Sequence, residues 1–323
     1  MKKQGLIVRA PNWIGDTIYC IPVWVRLSEH YDLHIVGKGW LADLLSGYPE
    51  WHVYKLSGKT WQCRAQYVSI KKQLMRSHQL PVGVNTIVFP TSFGSAFEPV
   101  IAGLKVLGHA HEGRGFLLKQ RVPMPDEMSS IYERYWNLGN VFYSDQQAAP
   151  KNLNFLVNPE VDDRVRQVFL RENGLIEGQY IVVCPFAAGN FDGQDKKWPQ
   201  FAVFAEQLSS LGYPVVCCPA PNEEGIWHAQ YSNVRALMKL SLSEYAAVLK
   251  YSKCVVANDT GPGHLASSVG AMLVSVLNRT KFETYGAVGE RVSYVKHEPT
   301  WPTVEAVLEH LKNRLIADDA KIS

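Results

Sequence analysis

Asp259, Thr260, Gly261 and His264 form the group of residues best placed for chemistry. The apolar run Val255-Val256-Ala257-Asn258 leads into them, and Pro262 and Gly263 sit inside the group. A strand that stops at Asp259 and a helix that begins near Pro262 leave several backbone N–H groups aimed at one spot. The positive end of the helix dipole lies behind that spot. Pro262 suits the first helical position because it has no N–H to lose there. His264 falls in the first turn, so its imidazole reaches the same place. The turn reads as an anion site, and the plainer alternative is a simple N-cap at Asp259 or Thr260.

A parallel arrangement occurs about 240 residues earlier, where residues 6–10 lead through Pro11-Asn12-Trp13-Ile14-Gly15 to Asp16 and a helical pattern over 17–27. Two strand-turn-helix units with an acid at the turn suggest two α/β domains facing across a cleft. Open α/β sheets bind ligands at the carboxyl ends of their strands. A third strand, 181–185, runs into a Gly-containing loop that ends in Lys196-Lys197-Trp198-Pro199. Either lysine can neutralise a phosphate as a point charge. The alternative is that the lysines are solvated and Trp198 packs at a helix start. The strand at 215–218 ends in a loop carrying Glu223 and Glu224, whose carboxylates can hold ribose or sugar hydroxyls.

The elements that position these residues alternate along the chain. Strand patterns fall at 6–10, 33–37, 86–89 and 121–123, then at 181–185, 215–218, 234–236, 254–257 and 273–277. Helical patterns fall at 40–46, 97–106, 128–138, 199–211, 243–250, 263–269 and 303–316. Such alternation implies parallel sheets. The polar stretch 144–154 reads as a linker, dividing the chain into domains 1–152 and 153–323. A length of 323 residues suits two cores, and 46% hydrophobic with 20% charged residues describes a globular protein. No apolar run is long enough for a membrane span, and Arg9 and Asp16 interrupt any signal-peptide core, so a cytoplasmic location is expected. The six cysteines form no C-x-x-C pair and read as reduced core residues.

Charge is uneven. Residues 51–125 carry ten cations against Glu98 and Glu112, a net +8, which leaves −5 for the remainder of a chain whose total is +3. That asymmetry points to an anionic partner, and a solvated face is the alternative. Sequence-specific nucleic-acid binding is not indicated, because no helix-turn-helix, zinc-finger or ribonucleoprotein pattern is present. Gly37-x-Gly39-x-x-Ala42 mimics a dinucleotide fingerprint but is not at the first strand of its domain. His109-x-His111 beside Glu112 offers no further metal ligand. The chain also has neither a P-loop nor an Asp-x-Asp pair.

Taken together, these residues resemble the heptosyltransferases of glycosyltransferase family 9. Trp13-Ile14-Gly15-Asp16 is similar to the family's N-terminal turn, and Thr91-Ser92-Phe93-Gly94-Ser95-Ala96 to its Ser-Phe-basic-Ser-Ala segment. The run 132–138 resembles the helix after the first sheet, and Lys196-Lys197-Trp198-Pro199 matches the Lys-basic-Trp-Pro motif. Leu240-Ser241-Leu242 and Asp259-Thr260-Gly261-x-x-His264 complete the set. The pattern departs at Phe186, where many relatives have Gly, in a longer loop over 187–195, and at Gly94, which replaces a basic residue.

The resemblance implies a GT-B fold: two Rossmann-like domains with parallel sheets, the acceptor on the N-terminal one and a nucleotide sugar on the C-terminal one. It implies inverting transfer without metal or other cofactor, most simply of heptose from ADP-heptose to a lipopolysaccharide core or related anionic, lipid-linked glycan. Asp16 is then the base, and Lys196 stabilises the leaving diphosphate. The donor side comprises Lys196, Glu223, Glu224, Leu240, Asp259, Thr260, Gly261 and His264, with Asp259 expected to fix its turn through backbone N–H groups or to touch the sugar. The acceptor side comprises Trp13, Ser92, Lys59, Arg64 and Arg114, with peripheral contact at the inner-membrane surface. The alternatives are a nucleotide-sugar epimerase of similar architecture and a non-catalytic nucleotide- or carbohydrate-binding protein.

Overall fold

Runs of Val, Ile and Leu, buried on both faces, make the centre of two parallel sheets, the environment that parallel strands require. The structure, a computed structural model, describes residues 3–125, 129–187, 190–191 and 194–322. It divides into two compact units, Met1–Pro150 and Lys151–Ser323.

In the first unit, β1 (Gln4–Arg9) is followed by α1 (Ile14–Ser28), β2 (Tyr31–Gly37), α2 (Leu41–Leu44), β3 (His52–Lys55) and α3 (Thr60–Arg76). Then come β4 (Thr86–Val88), α4 (Phe93–Ile101), β5 (Val106–Ala110), a 3-10 turn (Arg114–Leu117), β6 (Gln120–Pro123) and α5 (Ile131–Tyr143). The sheet order is β3-β2-β1-β4-β5-β6, all parallel. This is the doubly wound arrangement, in which the chain reverses direction across the sheet between β1 and β4. One face packs Ile7 and Val36 on Tyr67, Ile70 and Leu74 of α3. On α1, Trp24 meets Phe89 edge-on at 5.7 Å between ring centroids.

The second unit opens with α6 (Pro159–Arg164), a π-helical turn and α7 (Leu170–Glu172), then β7 (Ile181–Cys184) and a small antiparallel hairpin of β8 (Asn190–Phe191) and β9 (Gln194–Asp195). It continues with α8 (Phe201–Ser210), β10 (Val215–Cys217), α9 (Glu224–Gln230), β11 (Arg235–Ala236), α10 (Leu242–Lys250) and β12 (Cys254–Asn258). After these come α11 (Gly261–Ser268), β13 (Leu273–Leu277), α12 (Phe282–Tyr285), β14 (Val292–Lys296) and α13 (Val304–Ile322). Its sheet order, β11-β10-β7-β12-β13-β14, repeats the winding of the first unit strand for strand.

Several elements were not anticipated: the edge strands β3 and β14, the strand β5, the 17-residue helix α3, the shorter helices α6, α7, α9 and α12, and the β8–β9 hairpin. The helix expected over 97–106 is shifted: α4 ends at Ile101, and Val106 begins β5. Of the six cysteines, Cys20, Cys63, Cys184, Cys217 and Cys254 are buried, Cys218 is half-buried, and all six are free.

Candidate active site

In each unit the chemistry-bearing residues fall after the first and fourth strands, on either side of the reversal in strand order. In the first unit, the loop after β1 places Trp13 at the N-cap of α1 and Asp16 in its first turn. Trp13 is 66% exposed. The Asp16 carboxylate accepts a hydrogen bond from Tyr135 Oη on α5 at 2.7 Å. Burial, reinforced by Asp16, pushes the Tyr135 hydroxyl well above its ordinary value, so it stays protonated and donating. The two helices are held in register. Gly139 lies so close to Val23 that a Cβ there would sit 2.3 Å from the valine Cγ2. Arg26 of α1 donates to Asn140 at 2.9 Å and pairs with Asp145, while its guanidinium lies 4.6 Å from the Tyr143 ring centroid. Sequence reasoning quoted Tyr135 within a helix motif but missed its bond to Asp16.

Ser92, at the N-cap of α4, is exposed, and its side chain makes no capping bond. Arg114, expected on the acceptor surface, is instead 0% exposed. Its guanidinium donates to the carbonyls of His109 (2.9 Å), Pro90 (2.7 Å) and Ser92 (2.9 Å) and to Ser95 Oγ (2.9 Å). Burial pushes it down to about 10. Arg114 therefore clasps the loop after β4 and offers no face to a ligand.

The cations of residues 51–125 are also not one patch. Lys71 reaches the carbonyls of Ala102 and Gly103, Arg64 that of Ile101, and Lys105 that of Val82. Two of these three therefore serve the carboxyl end of α4, where the helix dipole favours positive charge. Lys55 and Lys59, at the end of β3 and the start of α3, are exposed at the carboxyl end of the sheet. Lys72, Arg76, Lys119 and Arg121 are exposed toward its amino end. His109 lies between the carbonyls of Pro123 (3.1 Å) and Arg134 (3.2 Å), which accounts for it without a metal.

In the second unit, Thr260 caps α11 with extended backbone and no side-chain capping bond, so the amides of the first turn are left for another partner. Lys196 Nζ stands 3.2 Å from Asp259 Oδ2, and His264 Nε2 stands 3.7 Å from Asp259 Oδ1. Asp259, expected to fix the turn through backbone groups or to touch a sugar, is 8% exposed, and its carboxylate faces Lys196 and the His264 ring. It holds Lys196 beside the start of α11. Gly261 opens the helix, with Pro262 in its first two positions.

The fully buried Asn258 joins the two loops: its Nδ2 donates to Pro185 O at 2.7 Å, and its Oδ1 accepts from Trp198 N at 3.0 Å. Trp198 is 1% exposed, packs on Phe201 and Phe204, and donates through Nε1 to Pro302 O. It anchors the lysine pair to the core. Phe186 also turns inward, edge-on to Tyr231 at 5.6 Å, so its bulk is absorbed by the core. Residues 188, 189, 192 and 193 of the expected phosphate loop lie outside the described residues.

Glu223 is the N-cap of α9, and its carboxylate accepts from Ala220 N at 2.9 Å; burial raises it, while that bond and Lys197 pull it down. Glu224 follows in the first turn of α9, half-buried. Leu240, also half-buried, precedes the full capping box of Ser241 and Glu244 at α10.

Two doubly wound units, with an acid at the turn of one and a lysine beside a helix start in the other, define a GT-B protein. The model of glycosyltransferase family 9 (heptosyltransferase) matches residues 84–312. The chain belongs to that family and is a glycosyltransferase. It is 24% identical over 321 residues to lipooligosaccharide heptosyltransferase 2 of Haemophilus influenzae, covering 91% of this chain and 88% of that protein. It shares its fold with the ADP-heptose lipopolysaccharide heptosyltransferase II of Escherichia coli, at a TM-score of 0.75 and 21% identity over 98% of this chain and 100% of that one. The family 9 glycosyl transferase of Veillonella parvula superposes at a TM-score of 0.79, with 14% identity over 97% of each chain.

Proposed function

We propose that the protein is an inverting, metal-independent heptosyltransferase that moves a heptose from ADP-heptose onto a lipopolysaccharide core or a related anionic, lipid-linked glycan. The observation that carries this reading is the pairing of roles: a carboxylate held by a neutral hydroxyl at Asp16, and a lysine held by a buried carboxylate at Lys196. Asp16 accepts the proton of an acceptor hydroxyl as its oxygen attacks the anomeric carbon. The bond from that carbon to the diphosphate oxygen breaks on the opposite face, and the electron pair leaves with the nucleoside diphosphate. Lys196 and the first-turn amides of α11 stabilise the charge that grows there, with His264 beside them. Asp259 orients Lys196, while Thr260 and Gly261 supply the turn.

Glu223, Glu224 and Leu240 border the donor's sugar or nucleoside. Trp13 offers a ring for a sugar of the acceptor, with Ser92 beside it, and Lys59 and Arg64 face its anionic groups. Among the described residues no helix is long and apolar enough to cross a membrane. In this reading the chain reaches a lipid-linked acceptor peripherally, at the cytoplasmic face of the inner membrane.

Thermal stabilisation by nucleotides tests the reading, because a ligand that binds the folded chain raises its melting point by mass action. ADP and ADP-heptose should stabilise the wild type and Asp16→Ala alike, whereas the shift should vanish in Lys196→Ala. A preference for UDP, GDP or CDP would replace the donor, and indifference to all four would sink the transferase assignment of Lys196.

A further inference from the structure

At the outer edge of the first unit, β2 and β3 run parallel in a register that sets His34 directly opposite His52. Their rings stack with centroids 4.6 Å apart. Asp32 lies two residues before His34 and so projects from the same side of the strand. Its Oδ1 is 3.1 Å from His52 Nε2, and its Oδ2 is 3.7 Å from His34 Nε2. One ligand atom from each of the three residues falls within 4.8 Å of the others. A tetrahedral ion with bonds of about 2.1 Å needs ligand atoms about 3.4 Å apart, so small side-chain rotations would close the set.

The detail that points to an ion rather than to a chance polar edge is His34. It is 1% exposed, yet its Nε2, turned toward Asp32, has no hydrogen-bond partner among the described residues. A buried ring nitrogen left that way is costly. Its other nitrogen, Nδ1, is held by Tyr54 Oη at 3.0 Å. One nitrogen fixed by a neighbour and the other directed at a carboxylate is the arrangement of a metal-bound histidine with its supporting shell.

We propose that Asp32, His34 and His52 bind one divalent transition-metal ion of the zinc class. Two imidazoles and one carboxylate suit zinc, cobalt or nickel rather than calcium or magnesium, which prefer oxygen. The His52 side chain is 50% exposed and that of Asp32 27% exposed, which leaves room for a water as fourth ligand. Asp32 and His52 begin their strands, whereas Asp16 follows the carboxyl end of β1. The ion is therefore placed at the end of the sheet away from Asp16. There it staples β3, a four-residue edge strand whose one neighbour in the sheet is β2.

Competition titration of the untagged, chelator-stripped chain with Zn2+ against a chromophoric chelator tests this, together with the visible spectrum of the Co2+ form. One ion per chain with a dissociation constant of about 1 μM or tighter is expected, with a melting point raised by several degrees in excess Zn2+. His52→Ala and Asp32→Asn should each weaken binding at least about tenfold and erase the tetrahedral Co2+ band, and Tyr54→Phe should weaken it about tenfold. His111→Ala, an exposed histidine elsewhere on the unit, should change nothing. No binding by the wild type, or wild-type affinity in His52→Ala, would overturn the proposal.

Discussion

The two units wind their six strands in the same order, yet the loops at the point of reversal are clasped and charged differently. In the first unit the loop after β4 hangs on a buried guanidinium, Arg114, and the acid that faces the site is held by a neutral phenol. In the second the loop after β7 hangs on a buried amide, Asn258, and the acid is paired with a lysine. A carboxylate held by a hydroxyl can accept a proton without breaking an ion pair. A carboxylate paired with Lys196 is a holder of that cation. In the proposed reading one fold thus supports a base in one unit and a phosphate anchor in the other, and the side chains after its first and fourth strands decide which.

The sharpest way to break that comparison is to exchange the roles. Asp16→Asn removes the base and should lower kcat by about 10²- to 10⁴-fold with ADP affinity unchanged. Lys196→Ala should lower kcat/KM by about 10²- to 10³-fold and weaken ADP binding in parallel. Steady-state kinetics with both substrates varied would separate the two. If Asp16→Asn weakened ADP as much as Lys196→Ala does, the assignment of base and anchor to different units would be wrong.

The clasps differ in what their loss exposes. Arg114→Leu leaves the carbonyls of Pro90, Ser92 and His109 without that donor and should cost about 4 kcal/mol or more, whereas Asn258→Ala orphans one N–H and one carbonyl and should cost about 2–3 kcal/mol. Hydrogen exchange followed by peptide mass spectrometry assigns each loss to its unit. Arg114→Leu should loosen the segment from Pro90 to Ser95, and Asn258→Ala the segment from Pro185 to Trp198. A uniform loss across both units would show that the clasps are not local.

How far the sequence could be read follows from how local each feature is. The strand-turn-helix segments around Asp259 and Asp16 are continuous stretches of chain, and both were legible as such. The strand Leu273–Leu277 was read to the residue because four of its five residues are Leu or Val. The four-residue β3 ends in His52 and Lys55 and has one partner, so no periodicity marks it. Helix α3 was hidden by its charge, although Cys63, Tyr67, Ile70 and Leu74 are buried at helical spacing. The roles of Tyr135 and Asn258 rest on contacts 119 and 73 residues away, which no local pattern records. Arg114 is the clearest case, because a cation on the sheet surface and one inside a loop look alike until the chain folds.

The smallest effect concerns what is left of the basic segment. With Arg114 buried and Lys71 and Lys105 bonded to carbonyls, the remaining exposed cations stand at opposite ends of the first sheet. Of those not bonded to a carbonyl, Lys55 and Lys59 share an end with Asp16, while Arg64 donates to Ile101 O. An exposed lysine that meets an anionic group across water contributes about 0.5–1 kcal/mol. Lys59→Gln should therefore raise the acceptor KM by about two- to fivefold and flatten its dependence on salt, while Lys72→Gln, at the far end of α3, should leave both unchanged. Measurement at about 50 and 300 mM NaCl suffices, since screening acts most strongly on such exposed charges. Equal effects of the two substitutions would mean that net charge, not its placement beside Asp16, draws the acceptor to the protein.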